Sequence, residues 1–189
     1  MKDFIINKKD LYVDFDKFNS GESNILLITG LSGSGKSTLA NNLAERYKCK
    51  NFELDYLDFY LDKDFNKEDI KETEPALYDF IEQKHIKPLF MNAVAGYGLY
   101  KEYIKFVISW CKHHKNERFI INGFQIYKIC RNDDAFIINN PMIIKGTSGL
   151  ISAIRGIKRS SEPFLKEFKE CMRYVTQDYK KIDTFKNLL

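Results

Sequence analysis

The chain has 189 residues, of which 44% are hydrophobic and 30% are charged, and its formal net charge is +4. These values are typical of a globular domain, and the mild positive charge suits an anionic ligand without indicating a nucleic-acid groove. No apolar run approaches the roughly 20 residues of a membrane-spanning helix, and the start, MKDFIINKKD, is unlike a signal peptide. With four scattered cysteines and no C-x-x-C pair, the sequence predicts a cytoplasmic protein with reduced thiols and no membrane contact.

The first elements along the chain are predicted to form a short N-terminal hairpin, in an extension that covers residues 1–23. Residues 3–6 and 11–15 have the apolar character of short strands, and the polar residues 7–10 are expected to form a solvated turn between them. The turn sequence, NKKD, has the N-K-x-D pattern with which GTPases read guanine. No D-x-x-G occurs anywhere in the chain, however, which argues against a GTPase.

The strongest signal in the sequence is a glycine-rich loop. Residues 24–29 (NILLIT) are an apolar run of strand length, and the sequence GLSGSGKST follows at residues 30–38. This sequence fits the P-loop pattern G-x-x-x-x-G-K-[ST] at every fixed position. Apolar residues at helical spacing follow the loop: Leu39, Ala40, Leu43, Ala44 and Tyr47. A strand, a glycine turn and a helix N-terminus are the parts of an anion-binding site.

The P-loop pattern predicts ATP and Mg²⁺ as cofactors. Its glycines let successive backbone N–H groups point inward at phosphate oxygens. Lys36 can reach the β- and γ-phosphates, and the Ser37 hydroxyl is placed to ligate Mg²⁺. The residues that we expect to bind the nucleotide are Gly30, Ser32, Gly33, Ser34, Gly35, Lys36, Ser37 and Thr38.

The rest of the chain alternates between predicted strands and predicted helices. Strands are expected at residues 51–55, 118–122 and 142–145, and helices at residues 75–85, 98–115, 149–160 and 161–175. This order predicts an α/β fold of the three-layer P-loop NTPase type, with a mostly parallel sheet flanked by helices and a ligand at the carboxyl ends of the strands. Residues 24–189 are expected to form one compact domain with a helical insertion at residues 66–116.

The strand at residues 118–122 distinguishes between classes of P-loop protein. Motor ATPases end the corresponding strand with Asp-Glu, whose Asp supports Mg²⁺ and whose Glu polarises the attacking water. In this chain the strand ends with Asn122 and Gly123, which are an amide and a glycine. The sequence therefore argues against an ATPase that activates water.

Two segments resemble nucleoside and nucleotide kinases. Residues 120–125 (IINGFQ) resemble the strand-D-G-F-P segment of adenylate-kinase-like proteins, with Asn122 in the place of the acid and Gln125 in the place of the proline. Residues 54–55 (LD), soon followed by residues 58–60 (DFY), resemble the aspartate-aromatic segment at the second strand of uridine-kinase-like proteins.

A third resemblance lies in the helix predicted at residues 149–160, where Arg155-x-x-x-Arg159 is similar to the lid helix of the same broad family. The resemblance as a whole covers residues 24–175 and implies an ATP-dependent P-loop kinase. Two guanidinium groups one helical turn apart would neutralise negative charge in the transition state as the lid closes over the phosphates. The alternative interpretation is that Arg155 and Arg159 lie on an exposed basic helix face.

The acidic residues around the end of the second strand are candidates for the general base. We expect this strand to end at Asp55 beside the P-loop, and Asp55 is our first choice to orient and deprotonate an acceptor hydroxyl. Asp58 is the second choice, because residues three apart share a face of a turn or helix. The predicted catalytic residues are therefore Lys36, Asp55, Asp58, Arg155 and Arg159, and Asn122 and Gln125 are candidates for acceptor binding.

These signals together predict an enzyme that transfers the γ-phosphate of ATP to a small-molecule acceptor, a nucleoside or a nucleotide. Two alternatives within the kinases are an enzyme that phosphorylates nucleic-acid ends and a toxin-type kinase that acts on a sugar nucleotide. A nucleic-acid partner is less favoured than a small molecule. A third alternative is a non-catalytic ATP-binding module. The sequence names neither the acceptor nor the oligomeric state.

Overall fold

A computed structural model of the chain describes residues 10–31, 33–63, 66–91, 94, 96–130 and 133–146. The strands in these ranges are β1 (Leu11–Val13), β2 (Ile25–Gly30), β3 (Lys50–Glu53), β4 (Asp58–Phe59), β5 (Leu89–Phe90), β6 (Phe119–Asn122) and β7 (Met142–Lys145). The helices are α1 (Phe15–Ser20), α2 (Lys36–Tyr47), α3 (Lys67–Thr73), α4 (Pro75–Lys84), α5 (Tyr100–His113), α6 (Phe124–Cys130) and α7 (Asp134–Ile138). The helices predicted at residues 149–160 and 161–175, and the first strand of the predicted hairpin, lie outside the described residues.

Five of these strands form one sheet in the order β1-β7-β2-β6-β3. β2 runs parallel to both of its neighbours and β3 runs parallel to β6, whereas β1 pairs antiparallel with β7. Helices cover both faces of the sheet. The predicted α/β fold with a mostly parallel central sheet, consistent with the P-loop NTPase fold, is therefore confirmed.

β2 lies in the middle of this sheet, and all six of its residues are buried. Parallel strands that are covered by helices on both faces have no face exposed to solvent, so their sequences are continuous apolar runs. Leu26 and Ile28 pack with α2 on one face, and Ile25 and Leu27 pack with α5 and α6 on the other. Burial of each such side chain contributes about 1.5–3 kcal/mol, so β2 anchors both layers of helices.

The order of the strands opens a crevice beside β2. The chain leaves β2 through α2 towards β3, whereas it leaves β6 through α6 and α7 towards β7, on the other side of β2. The helices α2 and α6 therefore lie on opposite faces of the sheet. Adjacent strands whose connections leave in opposite directions form a ligand-binding crevice at their carboxyl ends. The glycine-rich loop and the end of β6 meet at this crevice.

The segment between β3 and β6 forms a group of helices beside the sheet, in which α3, α4 and α5 pack together. β4 and β5 pair there as a separate antiparallel ribbon. The helices predicted at residues 75–85 and 98–115 occur as α4, with Pro75 in its first turn, and α5. None of the helices in the described ranges has the length and apolar character needed to cross a membrane.

The structure corrects one prediction of local structure and adds short helices that were not predicted. The strand predicted at residues 11–15 ends at Val13, because Asp14 adopts a left-handed backbone conformation (φ 47°) and α1 begins at Phe15. The short helices α6 and α7 were not predicted from the sequence. They have seven and five residues, which is too short for the helical repeat of apolar residues to stand out.

Asp10 is a further correction, since residues 7–10 were predicted to be a solvated turn. Its side chain is only 1% exposed and lies 2.5 Å from the Lys145 Nζ. The second carboxylate oxygen accepts a hydrogen bond from the Gly146 N–H at 2.9 Å. The pairing of β1 with β7 brings these residues together across 135 positions of sequence, so Asp10 holds the carboxyl end of β7 in place.

The buried ion pair leads to a prediction about stability. Replacing Asp10 with Asn should lower the free energy of unfolding by about 1.5–3 kcal/mol, because hydrogen bonds to charged groups contribute that much when they are shielded from water. Chemical denaturation of the variant measures this loss. Asp14→Asn is the matched control, because Asp14 pairs with Lys17 at an exposed site and should change stability by less than about 1 kcal/mol. Equal effects of the two substitutions would contradict the structural role of Asp10.

Candidate active site

The glycine-rich loop joins the end of β2 to the start of α2. Gly30 has φ 141°, and a Cβ atom at this position would lie 2.5 Å from the carbonyl oxygen of Lys145 on β7. Gly35, the residue before α2, has φ 90°. Both conformations favour glycine, and at Gly30 the neighbouring strand also leaves no room for a side chain. These two glycines are therefore required by the shape of the loop.

The N-terminus of α2 faces the crevice and is suited to an anion. The first N–H groups of a helix have no partner within it, and they carry the positive end of the helix dipole. Among the described residues, no side chain caps this end of α2 and no acidic residue lies in its first turn. A helix N-terminus of this kind is suited to phosphate oxygens.

The predicted nucleotide-binding residues lie in the loop and in the first turn of α2. Lys36 and Ser37 are the first two residues of the helix, and Thr38, next along, is exposed. The Ser34 hydroxyl is buried and has no hydrogen-bond partner within the described structure. A buried donor without a partner is costly, and a phosphate oxygen would satisfy it. Ser32 lies outside the described residues.

Ser37 contacts a carboxylate that the sequence reasoning missed. Its Oγ donates a hydrogen bond of 2.9 Å to Oε1 of Glu53, the last residue of β3. The strand was predicted to run to residue 55, which placed Glu53 inside it and Asp55 at its end. A strand that ends at residue 53 instead brings Glu53 to the edge of the sheet, where the ligand is expected.

Asn122 ends β6 and lies between β2 and β3. It is fully buried, and it is paired in register with Ile28 on one side and Glu53 on the other. Its Nδ2 donates a hydrogen bond of 2.9 Å to Asn51 Oδ1, while its own Oδ1 has no partner in the described part of the chain. Asn122 therefore forms part of the floor of the crevice.

The structure brings two predicted site residues, Asp55 and Gln125, into contact. Asp55 is exposed in the turn after β3, and its carboxylate accepts a hydrogen bond from the Gln125 amide at the start of α6. Gly123 lies next to this pair, and a Cβ atom there would come within 2.9 Å of Leu54 and within 2.8 Å of Gln125 Oε1. Thr29 of β2 donates a hydrogen bond to the Gly123 carbonyl at 2.9 Å, so this pair is anchored beside the phosphate-binding loop.

Asp58 was predicted to share a face of a turn or helix with Asp55. Residues 54–56 form a turn that leads into β4. Asp58 lies on that strand, near Tyr103 of α5. Burial raises the pKa of the Tyr103 hydroxyl above its usual value, and the negative charge of Asp58 raises it further. The predicted lid residues, Arg155 and Arg159, lie outside the described residues.

The protein oxygen atoms at the crevice fit a metal ion that is bound by the protein and a nucleotide at the same time. No group of three or more His, Cys, Asp or Glu side chains with the arrangement of a metal site occurs among the residues described. Mg²⁺ is usually bound through one or two protein oxygens together with substrate phosphates and water. The Ser37 hydroxyl and the Glu53 carboxylate provide protein oxygens of this kind at the mouth of the loop.

Comparison with known proteins identifies the segment that contains the glycine-rich loop. The model of the adenylylsulphate kinase family matches residues 22–70. The predicted resemblance to P-loop kinases of the nucleotide group is confirmed over this segment. It contains β2, the glycine-rich loop, α2 and β3 with Glu53, so this P-loop kinase segment includes every described residue assigned above to the phosphates. It also includes Asp55 and Asp58, whereas Asn122 and Gln125 lie beyond it. No curated protein matches the chain at a significant level.

The tight approach of Gly30 to β7 predicts the effect of a single added methyl group. In Gly30→Ala the new Cβ would meet the Lys145 carbonyl, so the loop must shift and nucleotide affinity should fall at least tenfold. Titration with a fluorescent ATP analogue measures this affinity. Gly21→Ala is the control, because Gly21 also has a positive φ but has open space around it and lies at the end of α1. It should lower stability but leave the affinity unchanged, and unchanged affinity in Gly30→Ala would refute the assignment.

Proposed function

We propose that the protein is an ATP-dependent phosphotransferase that moves the γ-phosphate of ATP to a small acceptor of the nucleoside or nucleotide class. One observation carries the proposal. The phosphate-binding loop and the Asp55–Gln125 pair lie at the carboxyl ends of neighbouring strands, joined through the hydrogen bond from Thr29 to Gly123. Phosphoryl transfer requires a donor and an acceptor that are held side by side, and little covalent chemistry.

The donor half of the site would hold the triphosphate. The N–H groups of the loop and of the first turn of α2 bind the β- and γ-phosphates, and the Lys36 ammonium compensates their charge. Mg²⁺, held by the Ser37 hydroxyl and phosphate oxygens, would neutralise charge on the phosphoryl group as it moves. The Ser34 hydroxyl, which is buried without a partner in the described residues, donates to a phosphate oxygen.

The acceptor half would be formed by the residues after β3 and β6. Asp55 orients the acceptor hydroxyl and takes its proton, and Gln125 holds the Asp55 carboxylate in position through their hydrogen bond. The exposed ring of Tyr56, which follows Asp55 and is 82% exposed, offers a stacking surface for a base. Asp58 stays a second candidate for the base, Asn122 a candidate for acceptor binding, and Arg155 and Arg159 stay candidates for a lid over the phosphates.

The direct test is transfer of label from γ-labelled ATP. Incubation of the protein with Mg²⁺ and a panel of nucleosides, nucleotides, sugar nucleotides and oligonucleotides should label a nucleoside or nucleotide. Lys36→Ala is the control, and it should reduce transfer at least a hundredfold while the protein stays folded, because Lys36 contacts phosphate and does not lie in the core. Label on oligonucleotide ends or on a sugar nucleotide would replace the acceptor class proposed here. Nucleotide binding without any transfer would refute the proposal that the protein is an enzyme.

The acceptor half leads to a separate prediction about Asp55. Replacing it with Asn should lower kcat by about 10²–10⁴-fold, because a general base acts in the chemical step. The dissociation constant of ATP should stay the same, because Asp55 is hydrogen-bonded to Gln125 and belongs to the acceptor half. Steady-state kinetics with the acceptor that becomes labelled would measure kcat, and titration with a fluorescent ATP analogue would measure the dissociation constant, with Asp58→Asn as the comparison. A larger loss of kcat in Asp58→Asn than in Asp55→Asn would contradict this prediction and assign the general base to Asp58.

A further inference from the structure

We infer that Glu53, at the end of β3, supplies the carboxylate that positions the metal of the nucleotide, in the place of the acid that β6 lacks. This inference rests on the proposed function, because it concerns the metal that would accompany ATP. In P-loop NTPases the metal is held by the serine or threonine of the loop and by an aspartate at the end of a nearby strand. In this chain the strand next to β2 ends with Asn122, which carries no charge.

The contact between Ser37 and Glu53 is the first support. The Ser37 hydroxyl lies 2.9 Å from Oε1 of Glu53, so a metal bound to Ser37 would lie within reach of this carboxylate, directly or through one water. Glu53 is one strand farther from β2 than Asn122, and its side chain is one methylene longer than that of aspartate. α2 packs against both β6 and β3, which brings its first turn to the end of β3.

The surroundings of Asn122 are the second support. An aspartate at this position would be a fully buried charge, and a buried charge is costly without compensating partners. The asparagine instead donates to Asn51 Oδ1, and Asn51 in turn donates to Asn41 Oδ1 at 2.6 Å. Asn122 keeps one oxygen that has no partner in the described residues, and this oxygen can accept a hydrogen bond from a water bound to the metal. The end of β6 thus supplies a neutral acceptor and β3 supplies the charge.

The other acids near the crevice are less suited to this role. The carboxylate of Asp55 is engaged by the Gln125 amide, and Asp58 lies on β4 next to Tyr103. Mg²⁺ requires oxygen ligands and is usually held through one or two carboxylates in addition to phosphates. Of these three acids, Glu53 is the one whose carboxylate accepts a hydrogen bond from Ser37.

Metal affinity tests this inference independently of turnover. Mn²⁺ serves as a spectroscopic substitute for Mg²⁺, and electron paramagnetic resonance would measure its dissociation constant in the complex with a non-hydrolysable ATP analogue. Glu53→Gln should weaken Mn²⁺ binding about 10–100-fold, as the loss of a residue that orients metal ligands typically does. Its affinity for the metal-free analogue should stay close to that of the wild type, because the loop is unchanged. Glu45→Gln, on an exposed position of α2, is the matched control and should have no effect.

Moving the charge between strands gives the sharpest form of the test. The double variant Glu53→Gln/Asn122→Asp places the carboxylate at the end of β6. Recovery of most of the lost Mn²⁺ affinity would support the inference that the metal requires one carboxylate at this edge of the sheet, from either strand. Wild-type Mn²⁺ affinity in Glu53→Gln would overturn the inference, as would an equal loss in Glu45→Gln. Failure of the wild-type protein to bind the analogue at all would instead refute the proposed function.

Discussion

The pairing of β2 with β6 is the constraint on which the rest of the structure depends. Both faces of β2 are buried beneath helices, so polar groups that bind a ligand have to lie at its ends. The connections from β2 and β6 leave in opposite directions, which separates α2 from α6 and leaves space at the carboxyl ends. The phosphate-binding loop, Asn122 and the Asp55–Gln125 pair all meet there.

The crevice also concentrates polar atoms that the protein itself does not satisfy. Within the described residues, five buried side-chain atoms lack a hydrogen-bond partner, and three of them lie close to the end of β2: Ser34 Oγ, Asn122 Oδ1 and Gln125 Oε1. Buried polar atoms are normally paired, so each exception requires an explanation. A polar ligand in the crevice would explain all three. This pattern agrees with the donor and acceptor halves that we propose.

The sequence predicted the features that are encoded locally. The loop is determined by contiguous residues whose chemistry is specific, and the parallel sheet follows from apolar runs such as residues 25–30 that alternate with helical segments. Asp10 was predicted incorrectly because its partners, Lys145 and Gly146, are distant in sequence. Glu53 was missed for a related reason. Its role depends on where β3 ends and on its register with Asn122, and strand ends are set by tertiary pairing more than by local preference.

A crystal structure with Mg²⁺ and a non-hydrolysable ATP analogue would test the central claim, that the crevice between β2 and β6 is a triphosphate site. The account predicts the β- and γ-phosphates against the N–H groups at the start of α2, with the Ser34 hydroxyl within hydrogen-bond distance of an oxygen. It also predicts the metal on Ser37 Oγ with Glu53 beside it. A structure in which the analogue is bound elsewhere while the loop stays empty would contradict the account.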